Sequence, residues 1–200
     1  MHRADCIEPH LGDDMYSPGG ILKLRDMADT LQDADVITYW KNLLSVVRDT
    51  QIPNEVYTPD TYRSELKARP LHSFLWIIDA KPNGSNTRPV GFTSLYVDID
   101  DRTGQYIPVY IDPSSPDTDT LAIEAEYLVI SYAFAVLQLR YIWVETIDEF
   151  SERHIVTGFV VSPIDKGRTG FTYLKCVRNA WIARKEDVKN RFGLRNLTGV

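Results

Sequence analysis

Few side chains in this sequence can move a proton near neutral pH. There are four histidines and two cysteines, Cys6 and Cys176, in 200 residues. The cysteines show neither zinc spacing nor a CxxC pair and read as free thiols. His154 is a candidate acid or base, because imidazole ordinarily titrates close to working pH; the plainer role is a surface or capping histidine. No Ser-His-Asp arrangement, metal-ligand cluster or nucleotide P-loop is visible, so no metal is expected. One stretch stands out, Ser114-Ser115-Pro116-Asp117-Thr118-Asp119-Thr120, directly ahead of the clearest helical pattern. Thr118, with Asp117 and Asp119 beside it, suits a helix start. Side-chain oxygens there accept from free N–H groups, and carboxylates favour the positive end of the dipole.

These groups must be positioned by elements that the periodicity outlines. Ile21 to Arg25 alternates as a strand. Val36, Tyr39, Trp40, Leu43, Leu44 and Val47 recur at helical spacing, which predicts a helix over Asp35 to Val47. Thr58-Pro59-Asp60 starts a second helix that ends before Pro70. Ser73–Ile78, Val90–Ile99 and Gln105–Asp112 read as three consecutive strands, the last two joined by a hairpin over Asp100–Gly104. Pro108 cannot donate to a ladder, so its strand should be an edge or a splayed one. Thr118 to Leu139 is a helix, followed by a strand over Arg140–Ile147 and a short helical piece over Glu149–Val156. Gly158–Val161 and Phe171–Ala183 read as two final strands. The order is β-α-α-β-β-β-α-β-α-β-β, an α/β chain.

Charge and composition narrow the class. The net charge is −6 without a strong basic tract, so no nucleic-acid partner is expected. The first ten residues carry Asp5 and Glu8 and no apolar run, which does not read as a signal peptide. Tyr127 to Leu139 is too short to span a bilayer. The expectation is a cytoplasmic protein without membrane contact. Its organisation reads as an N-terminal arm over 1–20, one domain over 21–188 and a tail over 189–200.

Several short motifs fall in a familiar sequence. Pro89-Val90-Gly91-Phe92 enters one strand and Tyr110-Ile111-Asp112-Pro113 leaves the next. Ile123-Glu124-Ala125, Tyr132-Ala133-Phe134, Gly158-Phe159 and Trp181-Ile182-Ala183-Arg184-Lys185-Glu186-Asp187 follow. In type and order these resemble the GNAT acyltransferase superfamily over roughly residues 20–188. They are most similar to the branch that acetylates ribosomal-protein N-termini. The resemblance implies a GNAT-like mixed, mostly antiparallel central sheet flanked by helices. It also implies N-acyl transfer from acetyl-CoA or another acyl-CoA to a small-molecule or peptide amine.

On that resemblance, the pantetheine arm would pair with backbone around Val109 and Ile111. The pyrophosphate would sit at Ser115 and Thr118, where the main helix begins. Ser151 stands where the family has an Asn. Glu145 is the candidate base, His154 a candidate acid or base, and Tyr110 a stand-in for the family's acidic Tyr. Each also has a plain reading: a solvated strand carboxylate, a cap, a packed aromatic. Trp40, Trp76 and Tyr96 belong to an aromatic-rich N-terminal half that would shape the acceptor site. The departures are specific. The family's Arg-x-x-Gly-x-Gly loop is replaced by a stretch with no glycine, no basic residue and two aspartates. The segment from Ser151 to Gly158 is about one helical turn short. A rival reading follows: a degenerate GNAT-fold protein that no longer uses CoA and catalyses another reaction, or binds a ligand, in the same cleft. A third is a structural partner, a homodimer formed through the sheet.

Overall fold

The strand-like segments join into an eight-stranded sheet in a computed structural model that describes residues 14–16, 22–47, 56–81, 86–147, 151–162 and 171–191. Its strands are β1 (Met15–Tyr16), β2 (Leu22–Asp26), β3 (Ser73–Ala80), β4 (Arg88–Asp98), β5 (Thr103–Ile111), β6 (Tyr141–Ile147), β7 (Val160–Val161) and β8 (Phe171–Val177). They lie in the order β1-β2-β3-β4-β5-β6-β8-β7. Every neighbouring pair is antiparallel except β5 with β6. Among the described residues five helices flank the sheet: α1 (Leu31–Val47), α2 (Pro59–Lys67), α3 (Thr118–Ala135), α4 (Ser151–Val156) and α5 (Arg178–Arg191).

Two cores form because alternate strand residues point to opposite faces. On one face Leu24, Trp76, Tyr106, Ile142 and Leu174 pack with α3. On the other, Ile77 and Phe92 pack with Ile37 and Trp40 of α1 and Tyr62 of α2. At Gly91 the β5 backbone approaches β4 closely: a Cβ there would collide with the Tyr110 carbonyl oxygen. That explains glycine in Pro89-Val90-Gly91.

Three local expectations need correction. The segment Phe171–Ala183 is not one strand: β8 stops at Val177 and α5 begins at Arg178. Trp181 and Val188, both buried, lie seven residues apart on one helical stripe, and the residues between them are mostly charged or exposed. Helix α3 ends at Ala135, not Leu139. The Leu137 and Leu139 N–H groups fold back onto the carbonyls of Tyr132 and Ala133, and Gln138 adopts a left-handed φ of 52°. At the start of α3, Asp117 is the N-cap residue but is left-handed, with φ 56°, and makes no side-chain cap bond. Asp112 organises this loop instead. Its side chain accepts from the Ser114 N–H at 2.8 Å and its carbonyl from the Ser115 N–H at 2.9 Å. Helix α2 starts as expected, with Thr58 Oγ1 accepting from the Thr61 N–H and Pro59 in the first turn.

The feature that positions a site is the junction of β5 and β6. They pair through only Thr103–Tyr141, Gly104–Ile142 and Gln105–Trp143, then diverge. Beyond that point β5 keeps its ladder with β4 alone. Pro108 lies on this splayed stretch, where its missing donor is tolerated.

Candidate functional site

On the α3 face the splay is filled by buried polar side chains. Tyr106 from β5, Glu126 from α3, and His154 and Thr157 from α4 and the turn after it are all without solvent exposure. His154 Nδ1 lies 2.7 Å from Glu126 Oε2, although neither ring nitrogen makes a well-aligned hydrogen bond. Thr157 Oγ1 contacts both Glu126 Oε1 and the His154 carbonyl, so its one proton serves one of them at a time. A buried carboxylate must be matched by cations and donors. Burial pushes the Glu126 carboxyl up, but the facing His154, then Arg153 and Thr157, hold it below its ordinary value. The Tyr106 phenol is driven well above its ordinary value by burial and then by Glu126.

The same side chains reach the open edge of β5. The Val109 N–H donates to Tyr106 Oη at 3.2 Å, and Arg153 Nη2 donates to the Val109 carbonyl at a long 3.4 Å. Next to this lies a groove of about 300 Å³, lined by Asp119 and Ile123 of α3, Arg153 and Val156 of α4, and Arg191 of α5. Among the described residues no cluster of His, Cys, Asp or Glu could hold a metal ion. No helix among them is long and apolar enough to cross a membrane.

The whole architecture is matched by solved structures at low sequence identity. FdhC, a nucleotide-linked sugar GNAT, aligns with TM-score 0.68 at 15% identity, over 90% of this chain and 98% of its own. Mycobacterium smegmatis RimJ in complex with CoA-disulfide aligns with TM-score 0.68 at 13% identity, over 93% and 96%. A GCN5-related N-acetyltransferase from Brucella melitensis aligns with TM-score 0.65 at 17% identity, over 91% and 87%. This chain has the GNAT fold. No protein-family model and no curated protein sequence matches it.

Within the GNAT fold, the expected site residues separate into groups. Glu145 and Tyr110 lie on the sheet face opposite α3, on either side of the splay. Glu145 alternates with Val144 and Thr146, pairs across to Tyr173 on β8, and keeps Oε1 buried without a hydrogen bond. Trp143 stacks on Tyr173 at 6.2 Å beside it. Tyr110 packs on Phe92 and Trp40, and its buried Oη has no hydrogen-bond partner. Burial, with help from Asp112, pushes its phenol up to about 12. His154 joins neither of them; it is on the α3 side, sealed against Glu126. Val109 and Ile111 are on the splayed strand, Ser115 is buried in the loop, Thr118 opens α3 and Ser151 opens α4. Trp40 is 2% exposed and donates Nε1 to Asp112 Oδ2 at 3.0 Å. Trp76, 3% exposed, stacks on Phe74 and meets Tyr132 edge-on in the other core. Tyr96 is at the far end of β4, 36% exposed.

Sequence reasoning passed over Tyr106, Glu126, Arg153, Thr157 and Arg191. One signal existed: Glu126 is a lone carboxylate inside the run Ala125–Ile130, which is otherwise apolar.

Proposed function

We propose that the chain is an N-acyltransferase that moves an acetyl or other acyl group from acyl-CoA to a small-molecule or peptide amine in the cytoplasm. The observation that supports this best is the β5–β6 splay, with only three residues of pairing before the strands part. Acyl-CoA supplies an acyl group already activated as a thioester. The chain's residues fit it in part. The splay and the adjoining groove offer a slot and cations. Val109's amide and carbonyl, on the edge where a pantetheine arm would pair, are bonded to Tyr106 and Arg153. The 3.4 Å bond from Arg153 is weak enough to exchange for another donor.

Glu145 takes the proton that the attacking amine must lose. Tyr110, neutral at working pH because burial raises its pKa to about 12, holds a proton for the departing thiolate. Thr118 and Ser151 open the two helices that flank the slot. Trp40 backs the Tyr110 ring, while Trp76, sealed in the other core, and Tyr96, at the far end of β4, take no part. His154 acts through Glu126 as a positioning residue.

A second reading has an observation of its own. Both backbone groups of Val109 are satisfied from within, and the approach to α3 has no glycine, with Asp117 just before the helix and Asp119 in its first turn. That favours a GNAT-fold protein that has left CoA chemistry. Calorimetric titration with acetyl-CoA and CoA at two salt concentrations separates the two. Micromolar binding supports the acyltransferase; no binding at millimolar CoA overturns it in favour of the second reading.

A further inference from the structure

The groove between α3, α4 and α5 has a chemistry that the loop before α3 lacks. Arg153 and Arg191 come from different helices, and α5 lies beyond the last strand of the sheet. Both residues line one cavity of about 300 Å³, with Asp119 as the third charged residue of its lining. Arg153 is under-used: of its five N–H donors, one makes a long hydrogen bond, and Nε is buried with no partner.

We propose that Arg153 and Arg191 form a side-chain site for the diphosphate of the acyl carrier, in place of a backbone cradle at the Ser114–Thr120 loop. It rests on the acyl-CoA reading above. A guanidinium fork matches phosphate oxygens in pairs and needs no glycine for close backbone approach. The site also links the two halves of the cleft. Arg153 Nη2 caps the Val109 carbonyl, so turning the guanidinium toward a phosphate releases that carbonyl on the splayed strand. Phosphate binding then opens the slot for the rest of the carrier.

The test is calorimetric titration of inorganic pyrophosphate, acetyl-CoA and S-acetylpantetheine into the full chain. The variants are Arg191→Gln, Arg153→Lys and Asp119→Asn. Arg191 and Asp119 are exposed, so their substitution leaves the core intact, which circular dichroism checks. Pyrophosphate binding should weaken as salt rises. Arg191→Gln should weaken pyrophosphate and acetyl-CoA about tenfold, the usual effect of losing one charged hydrogen bond, and leave S-acetylpantetheine unchanged. Arg153→Lys should act in the same direction, because a point charge replaces a fork. Asp119→Asn should tighten both phosphate ligands severalfold by removing the opposing charge. Pyrophosphate that fails to bind, or that binds Arg191→Gln as well as the parent, overturns the site. Acetyl-CoA bound equally by parent and Arg191→Gln overturns the site but leaves the acyltransferase reading standing. Arginine-dependent pyrophosphate binding without acyl transfer to any amine supports the site and overturns that reading.

Discussion

Glu126 and His154 face each other with no solvent contact, and Thr157 and Tyr106 close the remaining sides. Breaking such a pair by removing one partner usually costs about 3–5 kcal/mol, because the other is left buried and unmatched. The sign of its pH dependence follows from Glu126. Its folded pKa lies below the ordinary value of 4.5, so the unfolded chain takes up the proton first on acidification. The stability it contributes is complete above that value and is lost as pH falls through the folded pKa. Glu126→Gln should therefore lower the urea midpoint at pH 7, and the gap to the parent should shrink below pH 4.5; a constant gap down to pH 3 would refute the assignment. Tyr110 gives the opposite kind of prediction. Its buried Oη has no partner, so Tyr110→Phe should leave stability within about 1 kcal/mol of the parent. If the phenol protonates the thiolate, the same change should lower kcat by about a hundredfold with little effect on KM. Equal kcat values would remove Tyr110 from the chemistry.

At the scale of elements, α5 carries more than its sequence pattern suggested. Trp181 is 2% exposed and meets Tyr127 of α3 edge-on at 5.1 Å, beside Gly158 with its φ of 110°. This contact pins α5 against α3 and α4, and so places Arg191 at the groove. Trp181→Ala should destabilise the chain by about 3–5 kcal/mol, the usual cost of emptying a buried tryptophan site. It should also weaken pyrophosphate binding if α5 supplies a cation; intact binding in a folded Trp181→Ala chain would separate the two roles. The strand reading of Phe171–Ala183 failed beyond Val177 because a short apolar stretch fits both periods, and neighbouring residues decide between them. Here Ala180, Ala183, Arg184, Lys185 and Glu186 are strong helix formers. By contrast Thr58-Pro59-Asp60 was legible as a helix start because each residue's role there is local. Thr30 was overlooked in the same role: its Oγ1 accepts from the Asp33 N–H at 3.1 Å and moves the start of α1 forward from Asp35 to Leu31.

For the whole molecule, the order of elements was readable because each is encoded within a short window. Alternation marked the first strand, apolar strand-like runs and a hairpin marked the meander, helical spacing marked α1 and α3, and Pro108 pointed to an edge or splayed strand. Together these lead to the GNAT order, with β1 and α5 added at the two ends. The site was not readable in that way. Tyr106 and Glu126 are 20 residues apart in sequence, Glu126 and Thr157 are 31 apart, and Val109 and Arg153 are 44 apart. Periodicity reports which face of its own element a residue occupies, not what it meets across the core. Glu126 and Arg153 were therefore passed over, and the plainer reading of His154 was a surface or capping histidine. The glycine-free, acidic loop before α3 was evident from the sequence by itself, because glycine's backbone freedom and aspartate's charge belong to the residues. That the splayed edge is held by Tyr106 and Arg153, and that two arginines from separate helices share the groove, only the packing of α4 and α5 against α3 decided, because such contacts exist only once distant segments are brought within hydrogen-bonding range.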